Sequence, residues 1–193
     1  MIAVWIVVGV AALIILGLAY RFNRLIRLRT RTQEAWSEID VELKRRHDLI
    51  PNLVETVKGY ASHERQVFED VTQARAQAVS AAQTGNPSEM AGAEDALSAT
   101  LTRLYAVAEN YPQLKAAELF LNLQEQLTTT EDKVEFARRF YNGNVRDFNT
   151  ALQTFPTNLY AQVLGFQRFA FFQAADADRA VPSVQFAPPS PQT

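Results

Sequence analysis

The chain has 193 residues, no cysteine, two histidines and a formal net charge of -2. These values exclude disulfides, thiolate chemistry and cysteine zinc sites, and give no overall bias toward nucleic acid. One domain plus an anchor fits the length.

Residues 2–20 carry no charge and are rich in Ile, Val, Leu and Ala. As a helix they cover roughly the ~30 Å hydrocarbon core of a bilayer. Trp5 and Tyr20 stand near the ends, where aromatic rings favour the headgroup level. Arg21, Arg24, Arg27, Arg29 and Arg31 follow at once. By the positive-inside rule this flank stays cytoplasmic and the N-terminus lies outside. The arginines also suit anionic headgroups at the membrane surface. A cleaved leader would carry basic residues before its apolar stretch, and none stands there.

From Trp36 a seam of spacing three and four runs through Ile39, Leu43, Arg46, Ile50, Leu53, Val57, Tyr60, Glu64, Val67, Val71, Ala74, Ala78 and Ala81. A heptad seam of this length predicts a long helix in a bundle. Pro51 falls inside it and marks either a kink or a break. Arg46 and Glu64 are charges on an apolar seam, so each needs a partner: a buried ion pair that fixes register, or a polar groove that recognises another molecule. Asp40, Lys44 and Asp48 at spacing four suggest an ion-paired face.

Gly85, Asn86, Pro87 and Glu89 form a stop followed by a start. Gly85 suits a helix C-terminus, Asn86 an N-cap, Pro87 the first turn and Glu89 the capping-box position. The next seam holds Leu97, Leu101, Leu104, Ala108, Tyr111 and Leu114, with Pro112 interrupting and Asn110 placed to cap a restart. Thr128 and Glu131 have capping-box spacing, so a further helix is expected through Val134, Ala137, Tyr141, Val145, Phe148 and Leu152, stopped by Pro156. A helical turn over 158–164, closed by Gly165, ends the helical part. Short connections predict antiparallel neighbours. The expected fold is therefore all-α: a transmembrane helix over 1–21, an up-and-down antiparallel bundle of three to four long helices over 22–172, and a flexible acidic, Pro-rich tail over 173–193. Phe166, Phe169, Phe171 and Phe172 either close the open end of the bundle or form an exposed apolar patch for a partner, a second subunit or the membrane.

The chemistry-bearing residues are few. His63-Glu64 begins like a metalloprotease helix, but Val67 stands where the second histidine belongs. His47 has no nearby ligand in sequence. An acid–base site built from Asp48 and His63 would need both in one pocket. No catalytic, cofactor or metal site is expected, and no nucleic-acid partner or small-molecule substrate.

The stretches 35–46 and 48–54 (AWSEIDVELKRR, then DLIPNLV), with 57–61, His63-Glu64, 106–115, 137–142 and 155–158, resemble the LemA family of bacterial membrane proteins. Phe140 departs from the polar residue expected there. The resemblance covers about 21–172. It implies an anchored antiparallel bundle in the bacterial inner membrane, no established reaction, and an association with envelope-stress components such as a membrane protease. The expected role is a non-enzymatic scaffold or adaptor whose partners are the bilayer and either another membrane protein or further copies of itself; the alternative is a self-assembling membrane organiser. The candidate interaction or register residues are Arg46, Asp48, Asn52, Tyr60, His63, Glu64, Tyr111, Arg139, Tyr141 and Asn142.

Overall fold

No glycine or proline stands between Tyr20 and Pro51, and the first helix runs through both limits. The computed structural model describes residues 1–173. Its helices are α1 (Ile2–Lys58), α2 (Arg65–Thr84), α3 (Pro87–Ala108), α4 (Pro112–Lys115), α5 (Glu118–Gln153) and α6 (Thr157–Tyr160). At 1.5 Å per residue the 57 residues of α1 make a rod about 85 Å long. Its first third is wholly unburied and has a mean hydropathy of 2.9 over its most apolar 18 residues, long and apolar enough to cross a bilayer. Burial begins at Leu25 and continues through Ala35, Ile39, Leu43, Ile50, Leu53 and Val57.

The helices are antiparallel, as the short connections predict. Leu25 near the start of the bundle shares a cluster with Phe148 and Leu152 near the end of α5. Ala35, Ile39 and Leu43 meet Val134, Ala137, Tyr141 and Val145. Ile50, Leu53 and Val57 pack with Phe120, Leu123 and Leu127, and with Ala74, Ala78, Leu97 and Leu101 of the α2–α3 pair. So α1 and α5 form a long pair, and α2 and α3 cover the half that lies away from the apolar stretch.

Pro51 neither ends α1 nor goes to waste. It has no N–H, which leaves the carbonyl four residues earlier, that of His47, without its helical donor. Arg75 of α2 supplies one: its Nε donates to the His47 carbonyl at 2.7 Å. The proline thus opens an acceptor on the side of α1 where α2 docks.

Three expectations need correction. The seam is not one helix to Ala81, because the chain turns between Lys58 and Arg65. Val57 and Val71 of the seam do enter one core, but across the turn Ala61 and Phe68 take the core places expected for Tyr60 and Val67. Thr128 and Glu131 do not start a helix. They lie inside α5, where Thr128 donates its hydroxyl back to the Gln124 carbonyl at 2.9 Å and so has no capping role. Asn110 does not cap the restart at Pro112; the cap position is Tyr111, with no side-chain bond. The Gly85–Glu89 signal does what its residues suggest. Gly85 takes φ +66°, Asn86 accepts from the Ser88 N–H at 3.0 Å, and its amide donates to Glu89 at 2.9 Å.

The half of the α1–α5 pair left open by α2 and α3 is closed by the chain after α6. Asn149 accepts from the Phe169 N–H at 3.1 Å and donates to the Phe169 carbonyl at 2.9 Å. Asn142 does the same with Phe172, at 2.8 and 3.1 Å. Tyr141 donates to the Ala170 carbonyl at 2.9 Å, and Ser88 of α3 to that of Gln173 at 3.1 Å. Seven helical residues advance about 10.5 Å and three extended residues about 10 Å, so two asparagines one heptad apart hold phenylalanines three apart. The tail assigned to 173–193 lies, apart from Gln173, outside the described residues.

Candidate functional site

Arg46 projects from the apolar stripe of α1 and is 3 % exposed. A guanidinium there must be neutralised. Its Nη1 meets Glu94 Oε2 of α3 at 2.8 Å, and its Nη2 meets Glu131 Oε2 of α5 at 2.7 Å. Nη2 also donates to the Ser98 hydroxyl at 2.6 Å. Glu94, also buried, reaches His47 Nε2 with its other oxygen at 2.6 Å. One arginine therefore ties α1 to both α3 and α5. Above it lies a cleft of about 300 Å³ bounded by Leu101, Tyr105, Leu127 and the half-exposed Glu131. Burial pushes the Tyr105 phenol up to about 12; nearby Arg46 opposes this and Glu131 adds to it. Two carboxylates already face the guanidinium, so the cluster is suited to fixing register and is not a vacant anion site. Among the described residues, no group of three or more acidic or histidine side chains is placed to hold a metal ion.

The other expected residues do not converge on one site. Glu64 is half-buried at the start of α2 and accepts from the Tyr111 hydroxyl at 3.3 Å. Desolvation first, then the Glu64 charge, push that phenol up. Tyr141 and Asn142 hold the returning segment, and burial pushes the Tyr141 phenol up to about 12. Arg139 is exposed and pairs along its own helix with Glu135 at 2.9 Å. Asp48, Asn52, Tyr60 and His63 are all exposed, and no hydrogen bond or ion pair joins Asp48 to His63 among the described residues. Nor does one join Asp40 or Asp48 to Lys44.

The phenylalanine cluster is corrected as an exposed patch. Phe166 and Phe172 are buried at 7 % and 1 %, Phe169 packs on Phe148 at 5.1 Å, and only Phe171 is exposed. The clasped backbone turns these rings inward, against Trp36, Phe148 and Tyr141. His47, which has no ligand nearby in sequence, is likewise buried.

Sequence reasoning missed Glu94, Glu131, His47, Ser98, Arg75 and Asn149. Glu94 had a readable signal: it interrupts the apolar stripe Met90, Ala91, Leu97, Leu101 with a charge opposite to that of Arg46. Asn149 had another, standing one heptad after Asn142.

The model of the LemA family matches residues 35–186, most of the chain. The chain belongs to the LemA family. It is 30 % identical over 160 residues to the LemA protein of Metamycoplasma hominis, covering 82 % of this chain and 72 % of the relative. It is 25 % identical over 183 residues to the magnetosome protein MamQ 2 of Paramagnetospirillum magneticum, covering 83 % and 67 %. The magnetosome protein MamQ of Magnetospirillum gryphiswaldense is 24 % identical with the same coverage. In this LemA-family chain the matched region starts at the buried Ala35 of α1 and takes in the Arg46 cluster and both clasping asparagines.

Proposed function

We propose that the chain is a non-enzymatic, membrane-anchored scaffold or adaptor of the bacterial inner membrane, serving envelope maintenance or membrane-protein quality control. The observation that carries this reading is α1 itself, one helix that contains both the apolar stretch and a wall of the bundle. Such a rod ties a protein-binding surface to the bilayer without a flexible linker. By the positive-inside rule, the arginines between 21 and 31 favour a bundle on the cytoplasmic side. Relatives named magnetosome proteins are in keeping with service to a larger cellular assembly. In vivo crosslinking from exposed positions on α5, followed by identification of the adducts, tests the reading. A reproducible membrane-protein adduct that depends on α5 supports it, and adducts to random neighbours count against it. Protease access in spheroplasts tests the side: digestion of the bundle from outside would reverse the assigned orientation.

Self-assembly is a second reading, favoured by one feature. Phe136 and Phe140 stack in parallel on the outer face of α5, with centroids 6.3 Å apart and exposures of 58 % and 48 %. Exposed aromatics in contact suit a protein interface. Light scattering of the full chain in mild detergent separates the two: a defined multiple that falls to 21.7 kDa on Phe136→Ser, Phe140→Ser supports self-assembly.

A further inference from the structure

The turn after α5 lies at the same level as the start of the arginine-rich segment, where the apolar stretch ends. Phe166 meets Phe22 edge-on at 6.0 Å. A cavity of about 330 Å³ opens there, lined by Arg21 and Arg24 of α1, Arg146 and Thr150 of α5, and Thr154 and Thr157 beyond. Asp147 is its one acidic lining residue, which leaves the cavity a formal charge of +2. Among the described residues none of the three arginines makes an ion pair or a side-chain hydrogen bond, with Asp147 or any other group. Beside the cavity the turn leaves Phe155, Leu159, Val163 and Leu164 exposed at 71, 68, 86 and 53 %. Large apolar side chains gathered on one exposed turn mark a contact surface.

We infer that this end of the bundle is an interfacial binding site for an anionic phospholipid, the phosphate group seated among Arg21, Arg24 and Arg146 and the four apolar side chains of the turn dipping into the acyl boundary. The inference rests on the proposed anchoring, which puts Arg21 at the headgroup level. Guanidinium donors match phosphate oxygens in pairs. Arg146 sets the site apart from diffuse attraction by a basic flank. It comes from the far end of the domain sequence, and α5 carries it back to the level of Arg21.

The full chain, reconstituted in phosphatidylcholine with trace spin-labelled phosphatidylglycerol, gives a relative association constant from the motionally restricted lipid. Arg146→Gln is expected to lower the phosphatidylglycerol preference roughly five-fold, and Arg31→Gln, the same charge loss outside the cavity, by less than about two-fold. Equal losses would overturn the site in favour of diffuse attraction. Displacement of the labelled lipid by inorganic phosphate, beyond that by chloride at equal ionic strength, would assign the cavity to a soluble anion and overturn the lipid. The chain has no cysteine, so single labels are unambiguous. A nitroxide at Val163→Cys is expected to meet dissolved oxygen and be shielded from an aqueous nickel chelate, and free access of the chelate would overturn the immersed turn. The same label at Ile14→Cys separates the two levels: if it too is aqueous the spanning reading fails, whereas a shielded Ile14 beside an aqueous Val163 sinks the interfacial site alone.

Discussion

Replacing Arg46 by methionine keeps a long apolar stem in the core but removes the cation that faces Glu94. The Glu94 side chain is 4 % exposed, so water cannot take over, and only the His47 ring remains against it. Leaving a buried charge without its partner costs about 3–5 kcal/mol. Glu94→Gln is expected to cost less, about 1–2 kcal/mol, because Arg46 keeps Glu131 and the amide still reaches His47. In the double variant both charges are gone. Ser98 retains its bond to the Glu94 backbone carbonyl at 3.0 Å, and the half-exposed Glu131 turns to solvent. The double variant should therefore lose under about 2 kcal/mol, less than Arg46→Met alone, giving a coupling of at least about 2 kcal/mol. Urea titration of the full chain in mild detergent measures this, followed by the emission of Trp36, which packs 5.2 Å from Tyr141. If Arg46→Met costs less than about 1 kcal/mol, or the single losses simply add, the reasoning fails and Arg46 behaves as a solvated charge.

Pro51→Ala returns an N–H that competes with Arg75 for the His47 carbonyl. Arg75→Ala should then cost about 1.5–3 kcal/mol in the parent chain and much less in the Pro51→Ala background, measured as a thermal double-mutant cycle. Asn142→Ala and Asn149→Ala each strip partners from one N–H and one carbonyl of the returning segment. Each should lose about 1–3 kcal/mol and speed hydrogen exchange over 166–173 while leaving α2 and α3 protected. The raised Tyr141 phenol makes the fold sensitive to alkali. Its contribution is fully present below pH 10 and is lost as pH rises from 10 to about 12, because over that window the unfolded chain releases the proton first. Melting temperature should fall across the window, and Tyr141→Phe should flatten the slope only in part, because the Tyr105 and Tyr111 phenols are raised as well.

The all-helical class, the apolar first stretch and the antiparallel order were legible because each rests on local period, length or short connections. The break after Lys58 was not. Gly59 is a weak stop, and apolar residues recur at spacings of three and four on both sides of the turn because both sides face one core. Thr128 and Glu131 misled for the opposite reason: their spacing is that of a cap, but a threonine can satisfy its hydroxyl within a helix and a glutamate can reach across to another. Arg46 was recognisable as a charge that needed a partner. Which partner it found depended on how α3 and α5 lie against α1, and no spacing within one helix carries that. The clasping asparagines were half visible: Asn142 stood out by resemblance, while Asn149 acts through a segment that looks like loop until it is seen laid along α5.

Because the apolar stretch and the bundle wall are one helix, they share a single screw axis. Inserting one residue after Tyr20 would turn the whole bundle by about 100° relative to the stretch before it and move it outward by about 1.5 Å. Seven inserted residues would nearly restore the facing and set it about 10 Å farther out. The juxtamembrane length is thus both a dial and a ruler, and which flank of the bundle looks along the bilayer is a matter of counting residues in α1.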